Sequence, residues 1–251
     1  MKKFYRTALA LAGGLVILGI LLTVLGLVLG APLSSLSIKM PLNIRIFPHL
    51  SYSSSLQEEN PDFFNLYEGV RSLEIEGTEA AITIKNGDDF SIEAKHPASN
   101  FSSELHGSRW VIHSGELRSH QWPVDQAPEI TITLPRDFVA EELNVELGVG
   151  SLTSAPLAAQ KAELEVGIGE MTIETLDCPN LSLEVEMGSV NMTLAGREED
   201  VAFSLENNMG SVSIGSRTWA GFDQEERWNP DAPRKAEISC SMGEVFIDWA
   251  K

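Results

Sequence analysis

Cysteine is nearly missing from this chain: Cys178 and Cys240 are the only two in 251 residues. Two cysteines make neither a disulfide framework nor the paired spacing of a zinc site, so they read as unpaired, partly buried thiols. Positive charge is also scarce. Eighteen Lys and Arg stand against 36 Asp and Glu, a net charge of −18. A phosphate backbone needs a basic surface, so nucleic acid is excluded as a partner. Aromatic residues make up only 7%. Beyond the N-terminal segment no amphipathic helix of more than two turns can be drawn.

The motifs of catalysis are missing as well. No Gly-x-Ser-x-Gly elbow is present. Gly148-Val149-Gly150 and Gly167-Ile168-Gly169 resemble pieces of a phosphate-cradling loop, but the third glycine and the following helix are lacking. His106, His113 and His120 recur every seven residues, a spacing that only a helix would align, and Gly107, Gly115 and Pro123 interrupt any helix there. Asp88-Asp89 after Asn86-Gly87 reads as hairpin-turn chemistry. The expectation is a chain with no catalytic residues, no metal ligands and no cofactor.

What is present begins at the N-terminus. Lys2, Lys3 and Arg6 precede an uncharged stretch from Thr7 to Ile38, whose core, about Ala8 to Leu29, is almost wholly Leu, Val, Ile, Ala and Gly. That length spans a hydrocarbon layer of about 30 Å and exceeds the apolar core of a cleavable signal. A cut after Ala31 would also leave Pro32 at the new terminus. Residues 1–30 are therefore expected to be a cytoplasmic tip and a single transmembrane helix, with the basic flank inside and the rest of the chain extracellular. Beyond the three basic residues of the tip, 15 basic stand against 36 acidic, a net of −21. Residues 31–68, with Pro32, Pro41, Pro48, Pro61 and the run Ser51-Tyr52-Ser53-Ser54-Ser55, read as a linker.

Residues 69–251 read as β. Leu73–Gly77 and Ala81–Lys85 are predicted as strands flanking a short turn, with Asn86-Gly87 as the next turn. Phe90–Ala94, Trp110–Ile112 and Ile130–Leu134 follow, the last ended by Pro135. From about 143 to 250 a repeat appears. Gly150, Gly169, Gly188, Gly210 and Gly243 sit in near-identical surroundings at intervals of 19, 19, 22 and 33 residues. Counting from each glycine, positions −5, −3 and −1 are largely apolar (Val145, Leu147, Val149; Leu164, Val166, Ile168; Leu183, Val185, Met187; Ile238, Cys240, Met242), and so are +2 and +4 (Met171, Ile173; Val190, Met192; Val212, Ile214; Val245, Ile247). The odd spacing across the glycine flips the buried face, so the strand is expected to bend there, with all these apolar residues inward.

A fixed short period of bent strands predicts an all-β fold: a β-solenoid or β-helix of stacked short strands with rungs of about 19 residues. An antiparallel sandwich is the alternative. The long interval before Gly243 holds an insertion at about 215–236, with Trp219, Phe222 and Trp228, expected to cover a flank or an open end. At position −4 stand Glu146, Glu165, Glu184 and Glu206, which in-register stacking would align as a column. Such a column is either a solvated outer face or a cation-binding stripe, and it offers too few converging oxygens for a tight Ca²⁺ site.

The segments from Leu134-Pro135-Arg136 through Leu143–Leu152, the copies at 169, 188 and 210, and the closing Ile238–Ile247 together resemble the bacterial DUF4097 group, provisionally described as adhesins. The resemblance covers about residues 70–250. It implies a β-solenoid surface module, attached here by a single membrane span, and it transfers no catalytic residues. The function expected is a membrane-anchored cell-envelope binding or scaffold module, adhesin-like and non-catalytic, whose partners are the membrane and an envelope polymer, a cationic peptide or another surface protein. The alternatives are an extracytoplasmic sensor or regulator of envelope stress that binds cationic compounds and, last, a carbohydrate-active enzyme.

Overall fold

A computed structural model describes residues 62–98, 100–115 and 128–250. The expected membrane helix at 1–30, most of the linker and His120 lie outside the described residues. Among the described residues no helix is long and apolar enough to cross a membrane.

The described chain is all-β, with seventeen strands hydrogen-bonded into one open sheet and a single 3-10 turn at Glu198–Asp200. The strands are β1 (Phe63–Tyr67), β2 (Ser72–Gly87), β3 (Phe90–Lys95), β4 (Ser102–His106), β5 (Arg109–His113), β6 (Glu129–Pro135), β7 (Leu143–Ser154), β8 (Leu157–Ala158), β9 (Ala162–Asp177), β10 (Asn180–Val185) and β11 (Ser189–Leu194). They continue with β12 (Val201–Asn207), β13 (Ser211–Ile214), β14 (Arg217–Ala220), β15 (Gln224–Trp228), β16 (Arg234–Cys240) and β17 (Glu244–Trp249).

The middle of the sheet is parallel and in register. β2 pairs with β7 (Ile75↔Val145, Ile82↔Leu152), and β7 with β9 (Val145↔Leu164, Leu152↔Met171). The first half of β9 pairs with β10 and its second half with β11, so both sides of each bend continue into the next layer. A third, short side forms where β8 pairs with the end of β9. One chain turn of 19 residues thus brings Gly169 beside Gly150. Leu73, Ile75, Leu143, Leu147, Leu164, Val166, Leu183, Val185 and their partners beyond the bend form one continuous buried cluster. Aliphatic side chains on both sides of the bend share this interior, and burying them drives the fold.

Three sequence expectations change here. First, β2 is one continuous strand from Ser72 to Gly87, without a turn between Gly77 and Ala81. It is itself a copy of the repeat, with Ala80 opposite Gly150, and the turn before β3 falls at Asp88–Asp89 rather than Asn86-Gly87. Second, the copies do not stack in chain order. β10 and β11 pair with β16 and β17, and these in turn pair with β12 and β13 (Leu183↔Ile238, Leu205↔Ile238). The last copy in sequence lies between the third and the fourth. The reason is the segment between them: β14 pairs antiparallel with β13 and β15 with β12, covering the outer edge of the fourth copy. Third, the residue at −1 faces outward. Val149, Ile168, Met187, Met209 and Met242 are exposed, whereas those at −3 and +2 are buried. The face still flips between −3 and +2, but the chain turns out over positions −2 to 0, so −1 sits on the outside of the corner.

Both ends of the parallel ladder are closed by antiparallel strands and aromatic rings. At one end β3 pairs with β6, β1 with β3 and β4 with β5. There Trp110 is fully buried, its indole donates to Ser103 Oγ at 2.9 Å, and Tyr67 lies 4.7 Å from its ring. At the other end Trp228 stacks on Phe203 at 4.5 Å and on Trp219 at 5.1 Å, with Trp249 edge-on to Phe203 at 6.0 Å. Wide rings cover an apolar cross-section that a further aliphatic layer would otherwise fill.

Candidate interaction surface

The glycines form a column in the spatial order Gly150, Gly169, Gly188, Gly243, Gly210. Close approach, more than backbone angle, demands them. Only Gly150 has a positive φ, of 140°. A Cβ on Gly188 would lie 2.5 Å from the Gly169 carbonyl oxygen and 2.6 Å from Val166 Cγ1. Each such Cβ points at the preceding layer. In β2 Ala80 takes the glycine's place; among the described residues no strand pairs with 77–80 on its other side, where β5 ends its pairing at Glu76 and β6 begins at Ala81.

The same register fixes the outer face. The −4 glutamates align as Glu76, Glu146, Glu165 and Glu184, then Ser239, then Glu206 and Glu225. The structure therefore brings Glu146, Glu165 and Glu184 into one run and separates Glu206 from it by a serine, because the last copy is interposed. His113 sits beside Glu76, with Nδ1 3.0 Å from Glu76 Oε2. A parallel column at −6 alternates: Glu74, Asn144, Glu163, Ser182, Glu237, Ser204. Adjacent strands are about 4.8 Å apart, so this alternation roughly doubles the distance between like charges. Together the two columns line a shallow concavity of about 330 Å³. Burial, helped by the charges of Glu146, Glu184 and Glu186, raises the Glu165 carboxyl above its ordinary range. No group of three or more His, Cys, Asp or Glu side chains converges in metal-ligating geometry among the described residues. His106 pairs with Glu104 at 3.3 Å, away from His113.

The corner beside this acidic face carries what sequence reasoning missed. Val149, Ile168, Met187, Met242 and Met209 line up as an apolar ridge, 49–56% exposed. Met187 N–H donates to Gly167 O, Met242 N–H to Glu186 O and Met209 N–H to Ser241 O, so consecutive members lie on consecutive strands. Phe222 extends the ridge: the pairing of Asn207 with Gln224 and the Asp223 N–H bond to Asn208 O place it opposite Met209, and it is 75% exposed. Glu79 stands opposite Val149 at the other end. On the far flank the +1 residues run Ser151, Glu170, Ser189, Glu244, Ser211. The ridge thus has glutamates on both sides, and between Val149 and Met209 no Lys or Arg occupies the −4, −2 or +1 columns. The signal was legible, since −1 is apolar in every glycine-bearing copy, but period-two reasoning assigned it to the interior.

A second missed residue is Asn207, fully buried at the −3 position where the other glycine-bearing copies carry Leu147, Val166, Val185 and Cys240. Inside the ladder each glycine carbonyl accepts from the next layer, as Gly188 O does from Glu244 N–H and Gly243 O from Ser211 N–H. At the last parallel layer the Asn207 side chain does this work. Its Nδ2 donates to Gly210 O at 3.1 Å and its Oδ1 accepts from Gly210 N–H at 3.0 Å.

An open all-β ladder with a polar and apolar outer corner is the class of protein these observations define. No family model matches the chain, and no curated relative is found. Solved structures give low-identity likenesses. A provisionally named cell adhesion protein from Clostridium sporogenes is 12% identical over 76% of this chain and 99% of its own, with a TM-score of 0.47. A provisionally named adhesin from Bacteroides fragilis is 14% identical over 74% and 97%, with a TM-score of 0.34. Another from Parabacteroides distasonis is 10% identical over 76% and 96%, with a TM-score of 0.26.

Proposed function

We propose that this chain is a membrane-anchored binding or scaffold module of the cell envelope, adhesin-like and non-catalytic, built as a β-solenoid. One observation carries the reading: the exposed apolar ridge with acidic flanks, repeated copy after copy on a stiff ladder. Isolated surface hydrophobes need no explanation, but six aligned ones leave apolar area in water, which a soluble face avoids unless something covers it. The apolar N-terminal stretch and its basic flank support the anchor, with the acidic domain extracellular.

The test is adhesion by cells lacking the gene, complemented with the natural chain or with Ile168→Ser/Met187→Ser/Met242→Ser. The natural chain should restore binding to cells or matrix and the variant should not. Equal restoration by both would sink the reading. Release of reducing ends from a polysaccharide panel would sink its non-catalytic part. The crowded carboxylates around Glu165 favour a second reading, a sensor of cationic compounds. In that case loss of the gene should silence an envelope-stress reporter while leaving adhesion intact.

A further inference from the structure

We infer that the ridge is the seat of an amphipathic α-helix bearing Lys or Arg on both flanks of its apolar stripe, lying along the column and across the strands. The inference rests on the binding-module reading and names the partner's chemistry.

Spacing argues for a helix. Ridge members follow one another at about 4.8 Å, and a helix turn advances about 5.4 Å, so apolar residues at i, i+3, i+4 and i+7 keep step with the layers. An extended strand laid the same way offers same-face side chains only every ~6.8 Å and loses step within two layers. From Val149 to Phe222 the ridge covers five intervals, about 24 Å, the length of a helix of about 16 residues. Room argues the same way. At −2 the copies in β7 and β9 have Gly148 and Gly167, so in those two layers no side chain stands between the ridge residues Val149 and Ile168 and the acidic Glu146 and Glu165. Methionine at three consecutive ridge positions suits this use, because its unbranched, polarisable side chain adapts to partner shape.

Charge selects the occupant. Glutamates line both flanks of the ridge without a basic residue, so the complementary partner is cationic. A second copy of this chain would set these glutamates against their own equivalents across a two-fold axis. An anionic lipid surface would be repelled in the same way. A basic amphipathic helix satisfies both the apolar stripe and its acidic borders.

The experiment uses the full chain in nanodiscs of phosphatidylcholine, with empty nanodiscs subtracted. The probe is a labelled 16-residue peptide with Leu at helical spacing and Lys on both flanks, followed by anisotropy. Saturable binding is expected. It should weaken about tenfold or more in Ile168→Ser/Met187→Ser/Met242→Ser and in Glu146→Gln/Glu165→Gln/Glu184→Gln, and also on raising salt well above ~0.15 M. Phe246→Ser, an exposed apolar residue off the ridge, should bind as the natural chain does, and all variants should keep the natural circular dichroism. Binding by the chain that ridge changes leave intact overturns the inference. So does equal binding of a peptide carrying two central prolines, and so does a concentration-dependent dimer abolished by the ridge changes. If adhesion survives while the peptide fails to bind, the helix inference falls and the binding-module reading stands. Loss of both removes both.

Discussion

Replacing Gly188 with alanine tests the close-approach account of the fold directly. The added Cβ would lie 2.5 Å from Gly169 O and 2.6 Å from Val166 Cγ1. An ordinary carbon–oxygen contact is no shorter than about 3.2 Å, so the layer must move by roughly 0.7 Å or the corner must reopen. That movement opposes hydrogen bonds on both sides, including Glu244 N–H to Gly188 O at 3.0 Å. Overpacking of about 1–3 kcal/mol, with one strained backbone bond added, gives a loss of about 2–4 kcal/mol. The reciprocal change, Ala80→Gly, creates no clash and should lose the flexibility difference and one buried methyl, about 1–2 kcal/mol together. Urea unfolding of the detergent-solubilised chain, followed by tryptophan fluorescence, measures both. If Gly188→Ala loses no more than Ala80→Gly, steric contact between layers is not what the glycines serve.

Three further outcomes follow from the geometry. Asn207→Ala leaves the buried Gly210 N–H and C=O without partners and should destabilise by about 1–3 kcal/mol, read as a lower urea midpoint, with Asn207→Asp recovering only the N–H partner. Trp228→Ala removes the ring stacked on Phe203 at 4.5 Å and should lose about 3 kcal/mol and raise dye binding to exposed apolar surface. Glu165→Gln should stabilise at pH 7 by about 0.3–0.9 kcal/mol, a like-charge repulsion at one strand spacing discounted for solvent and salt. Because the folded state holds that proton more tightly than the unfolded chain does, the penalty is absent below the ordinary value near 4.5 and grows as pH rises through the folded value. Equal urea midpoints for Glu165→Gln and the natural chain at pH 7 would refute the last.

Much of the fold was legible because its signals are local. The recurring glycine exposed the period, and the change of apolar parity around it placed a bend. The order of layers was not legible. Every copy offers the same inward pattern, so nothing within Leu183–Met192 or Ile238–Ile247 says which neighbour each takes; that is decided by β14 and β15 covering the fourth copy. The copy in β2 was hidden because Ala80 stands where a glycine marks the others. The ridge was misplaced because alternation counts residues, whereas a corner turns the chain through space. An apolar residue at −1 keeps the right parity for burial and yet stands outside. Spacing alone puts a glutamate at −4 in four copies, but which of them adjoin, and the interruption by Ser239, depend on the same hidden layer order.

The interposed layer has a consequence for biogenesis. β16 and β17 provide one neighbour to β10–β11 and one to β12–β13, yet they follow both in the chain and are synthesised after them. Everything up to β11 can settle vectorially, while β12 and β13 must wait, one apolar edge open, until β16 and β17 arrive to slot in. Deleting β16 and β17 would accordingly uncouple two layers in mid-structure rather than remove one from an edge.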